Sequence, residues 1–238
     1  MSVNRAPSPI EWLRRRLALG LLPPRCLICG ERAPDRDLCA ACIDALPDNA
    51  PACPRCALPL AVDAPACGAC LAAPPPFSMA AAAWRYEGAV AQLLPRFKFH
   101  RDLASGRVLG ELAAQRLQAW SGWIGAERVV PVPLHWGRLG QRGYNQALEL
   151  ARCLAAPHGL VPDHHGFRRV RGTLAQSRLD GVARRRNVRG AFRAEDSSGV
   201  VVLVDDVITT GATLAEAARA LLRAGAREVR ALAIARVP

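Results

Sequence analysis

Short apolar runs alternate with stretches of helical period over the last two-thirds of the chain. MAAAAWRYEG (79–88) suits a short strand ending at Gly88. AVAQLLPRFKFHRD (89–102) and LASGRVLGELAAQRLQAW (103–120) then read as helical, the second placing Leu109, Leu112 and Leu117 on one side. ERVVPVPL (127–134) predicts a buried strand ending in Pro131-Val132-Pro133, and YNQALELARCLAAPHG (144–159) a helix with Asn145 as N-cap and Gly159 as stop. Residues 200–205 predict the next strand, TLAEAARALLRAGA a helix stopped by Gly225, and REVRALAIARV a final strand. Strand and helix in strict alternation predict an α/β domain with a parallel sheet. Residues 168–193 break the periodicity and are densely basic.

The first third reads differently. IEWLRRRLALGLLPP (10–24) has basic residues before a short apolar run, but Pro23-Pro24 follows and no small-x-small cleavage pattern is present. An amphipathic helix over 1–25 that packs on the protein or touches membrane lipid is expected, packing preferred, rather than a signal peptide. No stretch is long and apolar enough to span a bilayer. AAPPPFS (72–78) reads as a linker, because adjacent prolines cannot join a helix or a central strand.

Between these segments lie four C-x-x-C pairs: Cys26/Cys29, Cys39/Cys42, Cys53/Cys56 and Cys67/Cys70. Each such turn can bring two thiolates onto one tetrahedral ion, and two turns complete a four-cysteine zinc site. Without a secretion signal a reducing compartment is expected, which favours zinc over disulfides. Sequential pairing, 26/29/39/42 and 53/56/67/70, needs only short loops and is preferred, with interleaved pairing left open. The region has too little core to fold without metal, so these zincs are expected to be structural. Cys153 sits alone on an apolar helical face and is expected in the core. The domains expected are thus the helix over 1–25, a double zinc ribbon over 26–73 and the α/β domain over 77–238.

Apolar residues make up 51% of the chain and charged residues 22%, enough for a packed core and against wholesale disorder. The formal net charge is +12, nearly all from arginine, since Lys98 is the only lysine. That balance favours polyanionic partners: nucleic acid, nucleotides, phosphate esters or an anionic membrane face.

VVLVDDVITTGATL (201–214) carries the most specific chemistry. An apolar strand runs into Asp205 and Asp206, then into Thr209, Thr210, Gly211, Ala212 and Thr213, then into a helix. Ligands of open parallel sheets bind beyond the carboxyl ends of the strands, where helix N-termini favour an anion. The carboxylates can accept hydrogen bonds from a diol or hold a divalent ion that bridges to phosphate. A ribose 5-phosphate meets both needs. Walker A and G-x-G-x-x-G signatures are absent.

The stretch closely resembles the loop of type I phosphoribosyltransferases that binds phosphoribosyl pyrophosphate (PRPP). PVPLHWGRLGQRGYNQ (131–146), the stretch from Arg171 to Gln176, RRRNVRGAF (184–192) and RFKFHRDLA (96–104) are similar to the ComF family, which joins a four-cysteine or double zinc ribbon to a phosphoribosyltransferase domain. The resemblance implies Mg²⁺-PRPP as ligand. Asp205 and Asp206 would be the catalytic pair, on the ribose hydroxyls, and Val207 and Thr209 to Thr213 would bind PRPP, the threonine loop taking its 5-phosphate. Val132, Pro133 and Leu134 would form the pyrophosphate loop, with Lys98, Arg142, Asn145 and Gln146 facing the same cleft. Arg171, Gln176, Arg186 and Asn187 would belong to a mobile basic loop that closes over pyrophosphate, although Arg184 to Arg186 equally suit a solvated face or DNA phosphates. No residue stands out as a general base.

The function expected is therefore a PRPP-binding phosphoribosyltransferase-like protein linked to DNA uptake and competence, cytoplasmic or peripheral at the inner face of the membrane. Single-stranded DNA and DNA-uptake proteins are further expected partners. The rival expectation is a single-stranded-DNA-binding accessory protein with a non-catalytic PRPP site. Purine salvage is weaker, for no base pocket is recognisable.

Overall fold

The computed structural model describes residues 25–172 and 188–238. Apart from Arg25, the helix expected over 1–25 lies outside the described residues, as do Gln176, Arg186 and Asn187. The chain forms two compact units, Met1–Leu46 and Pro47–Pro238.

In the smaller unit an antiparallel bridge, Arg25 to Arg32, closes the turn that carries Cys26 and Cys29. Cys39 caps helix α1 (Ala40–Asp44). The larger unit repeats this arrangement. A bridge from Ala52 to Pro59 closes the turn that carries Cys53 and Cys56, and Cys67 caps α2 (Gly68–Ala72). In both turns a backbone N–H four residues on bonds the first cysteine's carbonyl, Gly30 to Cys26 and Ala57 to Cys53.

The α/β part follows as β1 (Ala80–Arg85), α3 (Gly88–Phe99), α4 (Leu103–Leu117), β2 (Arg128–Pro131), α5 (Trp136–Arg142), α6 (Gln146–Ala155), β3 (Phe167–Arg169), β4 (Phe192–Ala194), β5 (Val200–Ile208), α7 (Ala212–Arg223) and β6 (Glu228–Arg236). β1, β6, β5 and β2 lie side by side in that order, all parallel. The mixed α/β class with a parallel sheet is as the sequence predicts. β3 and β4 form a separate antiparallel pair at the two ends of the basic stretch.

Strand alternation sorts β5 between the two faces of the sheet. Val201 and Leu203 join the cluster made with Leu214, Ala217 and Leu221 of α7. Val202 and Val204, fully buried, point to the opposite face, where α4 and α6 pack on each other and against the strands. Asn145 caps α6 as expected, its Oδ1 accepting from Ala147 N–H at 3.1 Å. Gly159, left-handed at φ 67°, ends the short 3-10 turn that follows.

Two expectations need correction, and one helix was not foreseen. β5 does not stop at residue 205 but runs to Ile208, carrying both carboxylates inside the strand. α5 was not legible: Gly137 and Gly140 dilute its period. Cys153 is half-buried rather than in the core, although its Sγ packs towards α4 at Gly110. A Cβ on Gly110 would sit 2.9 Å from its Sγ.

Candidate functional site

A cleft of about 630 Å³ opens at the C-terminal end of the sheet. β5 delivers Asp205 and Asp206 to it. Asp206 is 8% exposed, and its Oδ2 lies 2.7 Å from the Lys98 Nζ, which comes from the end of α3. Asp205 turns its Oδ1 back to accept the Asp206 N–H at 2.9 Å. Burial first, and then the neighbouring Asp206 charge, push the Asp205 carboxyl up to about 7; Lys98, the Asp206 amide and Arg169 oppose them. Part of Asp205 remains reachable from the cleft, although its carboxyl is enclosed on the protein side.

After β5 the chain turns through Thr209 and Thr210 to Gly211, whose φ of 73° is left-handed and so favours glycine. α7 begins at Ala212, one residue earlier than expected. Ala212 N–H is capped locally by Thr210 Oγ1 at 3.4 Å. Ala215 N–H donates to Gly211 O at 2.8 Å, the bond that opens the ladder of α7. Val207, Thr209 and Thr213 line the cleft with the two aspartates. Thr210, Gly211 and Ala212 instead line a second cavity, of about 1030 Å³, behind the loop.

The segment after β2 forms another wall. Val132 and Leu134 line the cleft, and Pro133 does not. Val132 is fixed from both sides, its N–H donating to Val204 O at 2.8 Å and its carbonyl accepting from Asn145 Nδ2 at 3.2 Å. Asn145 thereby joins the cap of α6 to the end of β2. Arg142 donates to Gln146 Oε1 at 2.9 Å and stacks over the Phe99 ring, 5.1 Å from its centroid. Desolvation pulls the Arg142 pKa down and the Asp206 charge pulls it back up. Arg171 does not line the cleft; it is exposed and donates to Arg189 O at 2.7 Å.

The cleft also holds residues that sequence reasoning missed: Tyr86, Arg101, Arg138, Gln141 and Arg169. Arg169 is the most informative. It is 8% exposed and stacks over Phe192, and its charge acts on Asp205. Its position in a periodicity-breaking basic stretch hid it; the only available signal was the alternation of Phe167, Arg168 and Arg169, too short to read.

The eight paired cysteines gather as the sequential pairing predicts. Cys26, Cys29, Cys39 and Cys42 form one set and Cys53, Cys56, Cys67 and Cys70 the other, with the sulfurs of each set within 4.8 Å of one another. The donor set fits zinc: four thiolates, near-contact pairs such as Cys56 and Cys67 at 3.6 Å, and an N–H from Cys67 to Cys53 Sγ at 3.2 Å that steadies a thiolate. Four protein ligands leave no position for water, so metal held here is structural.

Two comparisons bear on this arrangement. Residues 17–71 match the double zinc ribbon domain, and residues 192–238, which include β5 and the loop after it, match the phosphoribosyl transferase domain. The chain is 36% identical over 204 residues to the DNA utilization protein YhgH of Salmonella typhimurium, covering 84% of this chain and 90% of the relative. It is 31% identical over 207 residues to competence protein F of Haemophilus influenzae, with the same coverage. It is also 31% identical over 149 residues to competence protein ComFC of Bacillus subtilis, there covering 60% of this chain and 58% of the relative. No helix among the described residues is long and apolar enough to cross a membrane. With two four-cysteine sites ahead of a phosphoribosyltransferase domain and relatives matched over nine-tenths of their length, the chain belongs to the ComF family.

Proposed function

We propose that the chain binds Mg²⁺-PRPP in the cleft beyond β5 and transfers its phosphoribosyl group, acting in DNA utilization or competence as its relatives' names indicate. The observation that carries this reading is the meeting of Asp205, Asp206, Thr209 and Thr213 with Lys98, Arg138, Arg142 and Arg169 in one cleft. Paired carboxylates beside a helix start suit a ribose phosphate, and the surrounding cations suit a diphosphate. Asp205 and Asp206 would take the ribose hydroxyls or share the magnesium ion. Thr209 and Thr213, at the two ends of the loop, would take the 5-phosphate. Lys98, Arg138 and Arg142 would stabilise charge developing on the leaving pyrophosphate, aided by Val132 and Leu134 at the wall. Magnesium would contribute charge neutralisation on the diphosphate oxygens. Isothermal titration with Mg²⁺-PRPP tests this: wild type binds, and Asp205→Asn with Asp206→Asn abolishes binding while circular dichroism is unchanged. Equal affinity in the variant would refute it.

A second reading has its own observation. The larger cavity lies between the second cysteine cluster and α7, with Pro74 to Pro76 and Phe77 on one side and Arg189, Arg219 and Arg223 on the other. A groove with cations along it suits a single nucleic-acid strand, held mainly through phosphates because aromatics are only 5% of the chain. Fluorescence anisotropy with a labelled oligonucleotide should show binding that falls steeply with salt. No binding at low salt would remove this reading.

A further inference from the structure

The last residue of β6, Arg236, is a buried arginine at 8% exposure. It sits where two functional parts of the larger unit meet. Its Nε donates to the carbonyl of Cys56 at 3.2 Å. Its Nη1 donates to Ile208 O at 3.3 Å and to Thr209 O, and also to Val237 O. One guanidinium thus holds the knuckle turn of the second cysteine cluster with one edge and the end of β5 with another. Its own backbone is fixed, since Arg236 pairs with Ile208 in the sheet and its carbonyl accepts Tyr86 N–H at 2.8 Å.

The choice of arginine follows from the geometry. Carbonyls from three separate segments converge on one buried point, and only a planar group with five donors in a fixed fork reaches them together. Charge adds to this. Four thiolates around a divalent zinc ion keep a net negative charge, which a buried cation beside them offsets.

We propose that Arg236 is a positioning residue that fastens the loop after β5 to the second cysteine cluster, so that metal held by Cys53, Cys56, Cys67 and Cys70 sets the order of that loop. The loop's role in phosphate binding rests on the function proposed above; the fastening itself does not. Zinc orders the Cys56 turn, the turn presents its carbonyl to Arg236, and Arg236 holds the carbonyls of Ile208 and Thr209 from behind. By linkage, a ligand that orders the loop also makes zinc harder to remove from this cluster.

Hydrogen-exchange mass spectrometry on the full zinc-loaded chain tests the fastening without any ligand, by following the amides of residues 207–213. Arg236→Met and Cys70→Ser should each speed their exchange roughly tenfold, with Arg236→Lys intermediate because one donor direction survives. Cys42→Ser, which removes a ligand from the other cluster, should leave these amides as in wild type. Unchanged exchange in both Arg236→Met and Cys70→Ser would overturn the proposal, and so would an equal effect from Cys42→Ser. If Arg236→Met exposes the β1 and β2 amides as well, it has lost the sheet, and the contrast between Cys70→Ser and Cys42→Ser decides. A parallel titration with Mg²⁺-PRPP separates the two readings: a wild type that binds none refutes the proposed function and leaves the exchange result standing.

Discussion

Lys98 Nζ stands 2.7 Å from Asp206 Oδ2, so the chain's single lysine neutralises one of two adjacent carboxylates on β5. The pair is partly wet, with side-chain exposures of 27% and 12%. Removing one partner of a fully buried pair costs about 3–5 kcal/mol, because the other charge is left behind. Here Lys98→Met should cost less, about 2 kcal/mol. Asp206→Asn also removes the repulsion on Asp205, so Lys98→Met with Asp206→Asn should be more stable than Lys98→Met alone. Urea denaturation of the four proteins in a double-mutant cycle measures this. Additive losses would mean that the contact carries no coupling.

Asp205 gives a pH dependence of definite sign. Its carboxyl is raised from the ordinary 3.8 to about 7, by burial and then by Asp206. The folded chain therefore holds a proton that the unfolded chain has already lost, and the stability tied to that proton falls as pH rises from about 4 through 7. Asparagine has no proton to lose. Asp205→Asn should gain stability relative to wild type between pH 5 and pH 8, as read by urea midpoints at both values. A constant difference would contradict the assignment.

Gly106 of α4 lies against the Phe97 ring: a Cβ there would come within 2.3 Å of Phe97 Cε2. Phe97 is 1% exposed and precedes Lys98. Its carbonyl also accepts the Tyr144 hydroxyl. Gly106→Ala must displace the ring, at a cost of about 1–3 kcal/mol for overpacking, despite alanine's better helix propensity. The displacement should reach Lys98 and weaken anion binding in the cleft. Thermal unfolding and titration with pyrophosphate check the two effects separately; an unshifted melting temperature would show that the core yields freely.

Much of this site was legible as pattern. The run Val200 to Val204 and the amphipathic period of α7 place the loop between them, and the spacing of the cysteines favours the sequential grouping that the fold adopts. The end of β5 was misread because two charges look like a strand end. Inside the fold Lys98 and Arg169 compensate them, and those neighbours are set by tertiary packing rather than by local sequence. Arg101 and Gln141 meet for the same reason, Arg101 Nη2 donating to Gln141 O at 3.2 Å across forty positions of chain. Strands of three residues, such as β3 and β4, are too short to show alternation.

The cysteine clusters present the opposite electrostatic problem, since protein groups alone cannot neutralise four thiolates. Burial opposes ionisation of Cys26 and Cys53, yet backbone N–H donors overcome it and hold them at about 6 and about 7. Their partners move the other way. Cys42 is pushed up to about 12, first by its hydrogen bond with Cys26 and then by desolvation. Cys70 is raised by burial and by Cys56 and Cys67. Without metal, each cluster is therefore only partly ionised at neutral pH. Zinc takes the thiolate form, so loading must release protons and affinity must rise with pH. The zinc-loaded chain should carry two zinc ions by elemental analysis, and Cys70→Ser one. Loading in weak buffer should acidify the solution, and a chelator should strip the metal faster at pH 6 than at pH 8. A metal-free chain that resisted protease across residues 25–73 as well as the loaded one would show that the thiols fold this region unaided.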